Sequence, residues 1–588
     1  MESPDSVTQF LAKNGVMEVL VCAVTVLGYL GTLSFGFVYD DKPAIVDNAG
    51  IRSWGFLAHC FSPGISAGLA QSAGGGSFFR PVTLLWLRLN YVVFGLNPAG
   101  WHLTMLAGHV LMTYLVFALV RRLTGNRNTA AVAAVLFGLH PVHVENVAWL
   151  SCVNDLLMSV LLLGSFLAYL KYRDGGKFRE GGKLWIAASV LLFGMALLSK
   201  ETAAAFPLLV FGFAVIFAYP RAGDNGSLWP VLKKGYVSIP YFLVLVAYLV
   251  ARRMMLHGFG KPIAPLSWTT MILTWPSVIW FDLKHLLLPV SSSEFYSLAY
   301  VTTPGLANLL LPILFLLVTF AIARYWISRI PNPRLRLVAL LWVFVPILPS
   351  LYLRAVAADN FVHDRFLYLP SVGVVILVAL AVEQISTSKM LAGSGAVVKC
   401  AMVAILGAAA FVGTLHHQVQ WASNILLYQN GIKSAPQNLV VQDNLANEVA
   451  NVGRFDLAIP LYLNVLQRNP RYWSSNYNLG YAYYRTGRFA EAEDYLNRAV
   501  EIDDQDPDEF IFLARAQMEQ GKLDQAAQNV ERALVRGPQS PGFHFVLAKV
   551  LEASGKPQQA IAEYRTEVRY HPENALARGE LQRLRALQ

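Results

Sequence analysis

Over its first 415 residues the chain alternates long uncharged apolar stretches with short polar loops. Val19 to Val38 is the first such stretch, 20 residues long, enough for a helix to cross a hydrocarbon core about 30 Å thick. It carries neither a basic leader nor a small-residue cleavage site, so the expectation is a retained span, not a signal peptide. Further stretches lie near 101–120, 130–140, 155–170, 184–199, 203–219, 236–254, 306–325, 337–353, 370–386 and 398–415. The stretch 268–289 fits either a crossing or an interfacial or re-entrant helix. The pattern predicts an all-α polytopic membrane domain of about 11 spans over residues 1–415.

Beyond residue 415 the pattern changes from apolar runs to a repeat. Gly453-Arg454-Phe455, Gly487-Arg488-Phe489, Gly521-Lys522-Leu523 and Gly555-Lys556-Pro557 recur every 34 residues. Ala446, Gly480, Ala514 and Ala548 keep the same register, as do Ala458, Ala492, Ala526 and Ala560, and Pro470, Pro538 and Pro572 close three units. A 34-residue helix–turn–helix period with small residues at these places is the tetratricopeptide signature. Four such repeats predict an α-solenoid over 416–588, whose concave face is suited to extended peptide.

Composition narrows the function classes. The chain is 55% hydrophobic and 14% charged, with a mean hydropathy of +0.44, too apolar for an ordinary soluble enzyme. Its 33 Phe, 25 Tyr and 13 Trp exclude a disordered chain, and four cysteines cannot staple a protein of 588 residues. The net charge of +10 belongs to the membrane part: residues 416–588 hold 18 Lys/Arg against 20 Asp/Glu, leaving 29 against 17 in residues 1–415. The basic residues cluster at Arg121/Arg122/Arg127, Lys171/Arg173/Lys177/Arg179/Lys183, Arg221/Lys233/Lys234 and Arg324/Arg329/Arg334/Arg336. The positive-inside rule puts these loops in the cytoplasm, provided 268–289 does not cross. The loops 39–100, 140–155 and 354–369, and everything after 415, then share the outer face. No aromatic-studded basic patch calls for nucleic acid.

The outer loops carry the candidate chemistry. Asp40 and Asp41 follow the first span directly, where two carboxylates suit a divalent metal, a general base toward a hydroxyl, or merely the end of a span. His140-Pro141-Val142-His143-Val144-Glu145, with Asn154 and Asp155 downstream, has metal-ligand chemistry without the i, i+4 histidines of a helical zinc site. Histidines satisfied at the interface are the alternative. Lys200-Glu201 fits a site ion pair or a tight turn. In His363-Asp364-Arg365-Phe366-Leu367-Tyr368, Arg365 offers bidentate recognition of phosphate, or Arg and Tyr together anchor a span. Arg80, in Phe79-Arg80-Pro81, offers a second phosphate contact or anchors a surface helix. Cys60 and Cys152 both fall on the outer face, as a disulfide or as two thiols. There is no phosphate-cradling GxxxxGK[ST] loop and no CxxC pair.

In chain order, the acidic pair, Phe79-Arg80-Pro81, the His140–Trp149 motif with Asn154-Asp155, Ser199-Lys200-Glu201, the Asp364–Gly373 motif and the repeat tail resemble the TMTC family. These are the transmembrane and tetratricopeptide-repeat-containing protein O-mannosyltransferases and their bacterial relatives. The resemblance implies a GT-C fold, a polyprenyl-phosphate-linked sugar as donor, and transfer on the luminal or periplasmic face. It implies Asp40 and Asp41 as the catalytic pair, with the base on Asp40, the first of the two. Arg365, Arg80, Lys200 and Tyr368 then fall to the donor phosphate. His140, His143, Glu145 and Asp155 are left to position the acceptor or to bind a divalent cation, Mg or Mn. Where many relatives carry Arg, this chain has Val153.

The implied partners are membrane lipid, the lipid-linked sugar and a protein or peptide acceptor on the repeats. The implied place is a bacterial inner membrane, or that of the endoplasmic reticulum, with the repeats periplasmic or luminal. A cut near residue 418 is expected to spare donor chemistry. Two rivals remain at this point. A non-catalytic membrane scaffold would explain the repeats alone, and a lipid-linked-sugar transporter predicts polar residues deep within spans.

Overall fold

Apolar segments that leave water must close their backbone hydrogen bonds internally, and here they do so as helices. A computed structural model of the chain describes residues 15–55, 57, 78–175, 182–218, 232–256, 266–356, 360–386 and 395–586. Cys60, with its candidate disulfide, and Lys177, Arg179 and Arg221 lie outside these residues. The described residues are helical with no strand, and they divide into two units, Met1–Ser434 and Ala435–Gln588.

The first unit contains α1 (Val16–Tyr29), α2 (Pro81–Phe94), α3 (Pro98–Thr124), α4 (Arg127–Gly138), α5 (Val144–Ala148), α6 (Val153–Gly175), α7 (Gly182–Leu197) and α8 (Phe206–Ala218). It continues with α9 (Ile239–Met255), α10 (Trp268–Leu287), α11 (Leu311–Ile327), α12 (Pro333–Ile347), α13 (Pro370–Ser386), α14 (Gly395–Gln418) and α15 (Asn424–Ser434). Among the described residues eight helical segments are long and apolar enough to cross a membrane, or nine if the bent pair Arg127–Gly138 and Pro141–Ala148 counts as one span. The stretches 184–199 and 370–386, counted as spans from hydropathy, fall on helices of 16 and 17 residues. Leu314, Leu317 and Phe320 of α11 are exposed, an outward apolar face of the kind a lipid bilayer covers.

The two ends of the bundle differ in chemistry. At one end Arg127 and Arg121 hold Glu18, Arg122 holds Asp174, and Asn126, Thr129 and Lys399 converge on Glu383. The candidate site lies at the other. Helix α10 has both of its termini there: Arg354 Nε donates to the Leu266 carbonyl before it, and His140 Nε2 bonds the Leu286 carbonyl near its end. The 51° bend between α4 and α5 arises at His140-Pro141, where proline has no N–H for the helix ladder and His140 Nδ1 accepts from the Val142 amide. The bend sends Glu145 toward the site.

The second unit has four helical pairs, α16 (Leu439–Asn451) with α17 (Phe455–Arg468), α18 (Trp473–Arg485) with α19 (Phe489–Ile502), α20 (Pro507–Glu519) with α21 (Leu523–Arg536), and α22 (Phe543–Ala553) with α23 (Pro557–Tyr570). A last helix, α24 (Ala575–Ala586), buries Ala577, Leu581 and Leu584 against α22 and α23. Gly453, Gly487, Gly521 and Gly555 all have φ between 72 and 80°, the left-handed turn conformation that a side chain disfavours. This is the physical origin of the 34-residue glycine period. The alanines of the two small-residue rows are wholly buried where paired helices meet.

Candidate active site

The acidic pair sits on a turn with an unusual backbone. Tyr39 is the only non-glycine among the described residues with positive φ, at 52°. Its amide donates to Asn424 Oδ1 at 2.7 Å, and its ring packs against Trp149, Phe295 and Tyr428. After this twist the two aspartates have different fates. Asp41 is buried: Oδ1 accepts from the Ser151 amide (2.8 Å) and hydroxyl (2.6 Å), and Oδ2 from the Val38 amide (3.2 Å). Burial pushes its pKa up to about 7, against the pull of those donors. Asp40 is half-buried, lines the main cavity and makes no side-chain hydrogen bond or ion pair to a described residue. Burial raises its pKa above the usual carboxylate range, and the positive charge of Arg365 opposes the shift.

Arg365 is held by two carboxylates. Its Nη1 donates to Glu145 Oε1 and to Glu294 Oε2 (2.9 Å), while its own amide donates to Glu145 Oε2 at 3.0 Å. The guanidinium also lies over the Trp149 ring, 5.2 Å from its centroid. Burial, reinforced by the nearby Glu145, pushes Glu294 well above the usual range despite Arg365. His363 Nδ1 is buried without a hydrogen-bond partner, 3.6 Å from Glu294 Oε1, and burial next to Arg365 and Lys200 holds this imidazole neutral.

A cavity of about 600 Å³ opens in front of these groups, within the size range of small-molecule sites. Asp40, Arg80, Asp155, Lys200, Glu201 and Arg365 supply its charged lining. Lys200 Nζ donates to both oxygens of Asp155 at 2.6 Å, and both side chains are under 10% exposed. Arg80 grips Glu201 in a two-pronged bond of 3.1 and 2.7 Å. The three cations of the wall are therefore each oriented by a carboxylate, and Asp40 is the wall's one carboxylate without such a partner among the described residues. Val153 also lines the cavity and adds no charge to it.

Of the remaining sequence candidates, Cys152 and Asn154 also line this cavity, whereas Tyr368, His140, His143 and Glu145 do not. Tyr368 is buried with its hydroxyl 2.7 Å from His109 Nδ1, since it lies on the inner face where α13 begins. His143 bonds Ser371 Oγ at 2.8 Å and packs against Phe137, while His140 is spent on the bend and on Leu286. The set His140, His143, Glu145 and Asp155 thus does not assemble as a metal site, because the bend turns both imidazoles into the core. Cys152 is a buried thiol donating to Asp155 Oδ2. A different trio, Glu145, Glu294 and His363, brings ligand atoms within 4.8 Å of one another. The guanidinium of Arg365 already stands between its two carboxylates, so the trio as built holds an arginine, and a cation fits there only if Arg365 withdraws.

Sequence reasoning missed Glu294 and the aromatic support of Trp149, Phe295 and Trp421. Glu294 follows three serines in a loop with no motif, and its one signal is a carboxylate outside any span on the same face as Arg365.

The comparisons with known proteins cover both parts of the chain. The dolichyl-phosphate-mannose-protein mannosyltransferase family matches residues 80–248, and the tetratricopeptide repeat family matches 444–507 and 513–575. The first match contains Arg80, His140, His143, Glu145, Asp155 and Lys200, but not Asp40, Glu294 or Arg365. Protein O-mannosyl-transferase TMTC3 of Mus musculus is 27% identical over 512 residues, covering 81% of this chain and 53% of its own. Protein O-mannosyl-transferase TMTC1 of Homo sapiens is 28% identical over 519 residues, covering 80% of this chain and 57% of its own. The chain thus spans little more than half the length of these relatives. Among solved structures, a tetratricopeptide protein of Thermus thermophilus is 20% identical, covering 28% of this chain and 90% of its own, at a TM-score of 0.24.

Proposed function

Because the chain is TMTC-like, we propose that it is an integral-membrane glycosyltransferase moving a sugar from a polyprenyl-phosphate carrier to a hydroxyl of a protein or peptide acceptor. The observation that carries this reading is Asp40, a carboxylate with no side-chain partner among the described residues, in a large cavity whose three cations are each oriented by another carboxylate. In the proposed reaction Asp40 takes the proton of the acceptor hydroxyl as that oxygen attacks the anomeric carbon. The new C–O bond forms as the bond from the anomeric carbon to the phosphate oxygen breaks, and the lipid phosphate leaves with the electron pair. Attack opposite the leaving group inverts the anomeric configuration.

Arg365, Lys200 and Arg80 are suited to stabilise the charge gathering on that phosphate. Their carboxylate partners keep them aimed, so little reorganisation is needed when charge develops. Asp41 serves this chemistry indirectly, by pinning the turn to Ser151. The cavity end of the bundle lies opposite the basic loops, which favours an outer, periplasmic or luminal, site with the repeats holding the acceptor there.

The test is turnover with a panel of polyprenyl-phosphate sugars and candidate peptides, with donor affinity measured alongside. Asp40→Asn is expected to lower turnover by about 100- to 10,000-fold at nearly unchanged donor affinity. Asp41→Asn is expected instead to loosen the turn, raising its protease sensitivity together with a partial loss of rate. The wild-type rate should rise with pH along an acid limb displaced above that of a free carboxylate, because Asp40 works only when ionised and burial raises its pKa. Near-wild-type turnover by Asp40→Asn would refute the assignment, and no transfer from any donor would favour a scaffold.

A further inference from the structure

The segment just before the repeats, residues 417–434, touches both halves of the catalytic constellation. On the Asp40 side, Asn424 is buried at the start of α15 and its Oδ1 accepts the Tyr39 amide at 2.7 Å. Tyr428, one turn later, packs on the Tyr39 ring. Trp421 is fully buried and stacks on Trp149 with centroids 5.4 Å apart and planes 15° from parallel, on the ring that also carries Arg365. On the Arg365 side, Gln420 Nε2 and Asn430 Nδ2 both donate to the Ser292 carbonyl, at 3.3 and 2.9 Å. Ser292 lies two residues before Glu294, the carboxylate that orients Arg365.

Tyr39 is the point where these contacts bear most directly on chemistry. A non-glycine residue at φ 52° is held in an unfavourable backbone conformation and persists only where its surroundings over-determine it. Its amide bond to Asn424 and its ring contacts supply that determination. The twist is what sends Asp40 into the cavity while Asp41 turns inward to Ser151. If Tyr39 relaxed toward an ordinary conformation, the Asp40 carboxylate would move relative to the cavity.

We infer that Asn424 is a positioning residue for the general base, and that residues 417–434, from which the repeat unit emerges, form part of the catalytic apparatus. This inference rests on the proposed role of Asp40. Asn424 touches no reacting atom; it acts through the Tyr39 amide. The root of the arm that carries the repeats is thereby coupled to the geometry of the base.

The experiment uses the full chain in lipid nanodiscs, as wild type, Asn424→Ala and Asn424→Asp. Hydrogen exchange at the Tyr39 amide, donor affinity, turnover and the pH profile of turnover are measured for each. Asn424→Ala should expose the Tyr39 amide to exchange and cut turnover by about 10- to 100-fold, the cost of a misplaced catalytic group, with donor affinity within about twofold of wild type. Its acid limb should move to lower pH, because a loosened Asp40 is better hydrated and loses part of the burial that raises its pKa. Asn424→Asp keeps an oxygen acceptor in place and should recover both the amide protection and most of the turnover. If Asn424→Ala fails to insert, Asn424→Ser, whose shorter side chain cannot reach the same acceptor position, replaces it.

Unchanged amide exchange in the alanine variant would show that the clamp does not hold Tyr39, and would overturn the inference. So would a loosened amide with unchanged turnover and pH profile. A wild type inactive with every donor would refute the proposed function itself, and the positioning role would fall with it; the active wild type of the first two outcomes keeps the failures distinct.

Discussion

The two units are held together over very different distances along the chain. In the repeat unit, polar contacts join neighbouring repeats: Trp473 to Glu509 across 36 positions, Ser475 to Asp443 and Arg536 to Asp504 across 32, Lys549 to Glu580 across 31. At the candidate site the separations are 110 for Asp41 with Ser151, 220 for Arg365 with Glu145 and 385 for Tyr39 with Asn424. Their surroundings differ as well. Ion pairs such as Arg488–Glu491 and Arg498–Asp494 are about half exposed, whereas Lys200–Asp155 is almost closed off. A solenoid is a sum of neighbour terms, so a local lesson repeats along it. The candidate site is one arrangement to which distant segments each add a part.

Truncation should display that contrast most strongly. Ending the chain after residue 434 removes the repeat unit and is expected to spare transfer to a small acceptor. Ending it after residue 418 also removes Gln420, Trp421, Asn424 and Asn430, and is expected to abolish transfer altogether. The sequence boundary at 415/416 cannot distinguish these cuts, because it follows hydropathy while residues 416–434 belong to the first unit by contact. Equal activity of both truncated chains would break the comparison.

Next in size is Lys200→Met. Removing one partner of a closed-off pair leaves Asp155 buried and uncompensated, at a cost of about 3–5 kcal/mol. Thermal unfolding in detergent should show the loss, and adding Asp155→Leu should restore most of it. In the repeat unit the effects are smaller. Burial, augmented by Asp506, Asp503 and Asp504, pushes Glu509 up to about 7, so between its usual range and that value the folded unit holds a proton that the unfolded chain releases. Stability supplied by the protonated form is full at low pH and is lost as pH rises through about 7. Glu509→Gln cannot titrate, and should flatten the pH dependence of repeat unfolding, followed by limited proteolysis of the full chain at pH 5 and pH 8. Smallest of all is Arg488→Ala, which breaks a solvent-screened pair and should leave the unfolding midpoint where it was.

Legibility follows the same division. Gly453, Gly487, Gly521 and Gly555 announce their helix turns because each sits where the backbone must be left-handed, a requirement satisfied within a few residues. Asp40, Arg80, Asp155, Lys200 and Arg365 could be nominated because polar clusters gather in the loops between apolar runs, and all five line the cavity. Glu294 could not, because nothing near it in sequence says that its loop folds back beneath Arg365. His140 and His143 misled for the same reason: their spacing resembles ligands, yet the turn at Pro141 directs them into packing.

The sequence by itself determined an all-α membrane chain with a tetratricopeptide tail, the apolar segments, and the loops where chemistry collects. Apolar length and a 34-residue period are local properties, and the solvent and the backbone read them without reference to the rest of the chain. Only the tertiary structure decided that Asp40 faces the cavity while Asp41 anchors its turn, that Arg365 is shared between Glu145 and Glu294, and that Asn424 accepts the Tyr39 amide. Those outcomes depend on side chains from segments up to 385 positions apart meeting at hydrogen-bonding distance. Helix packing sets such meetings, because a change of an ångström or two makes or breaks each bond, and composition and spacing carry no record of that register.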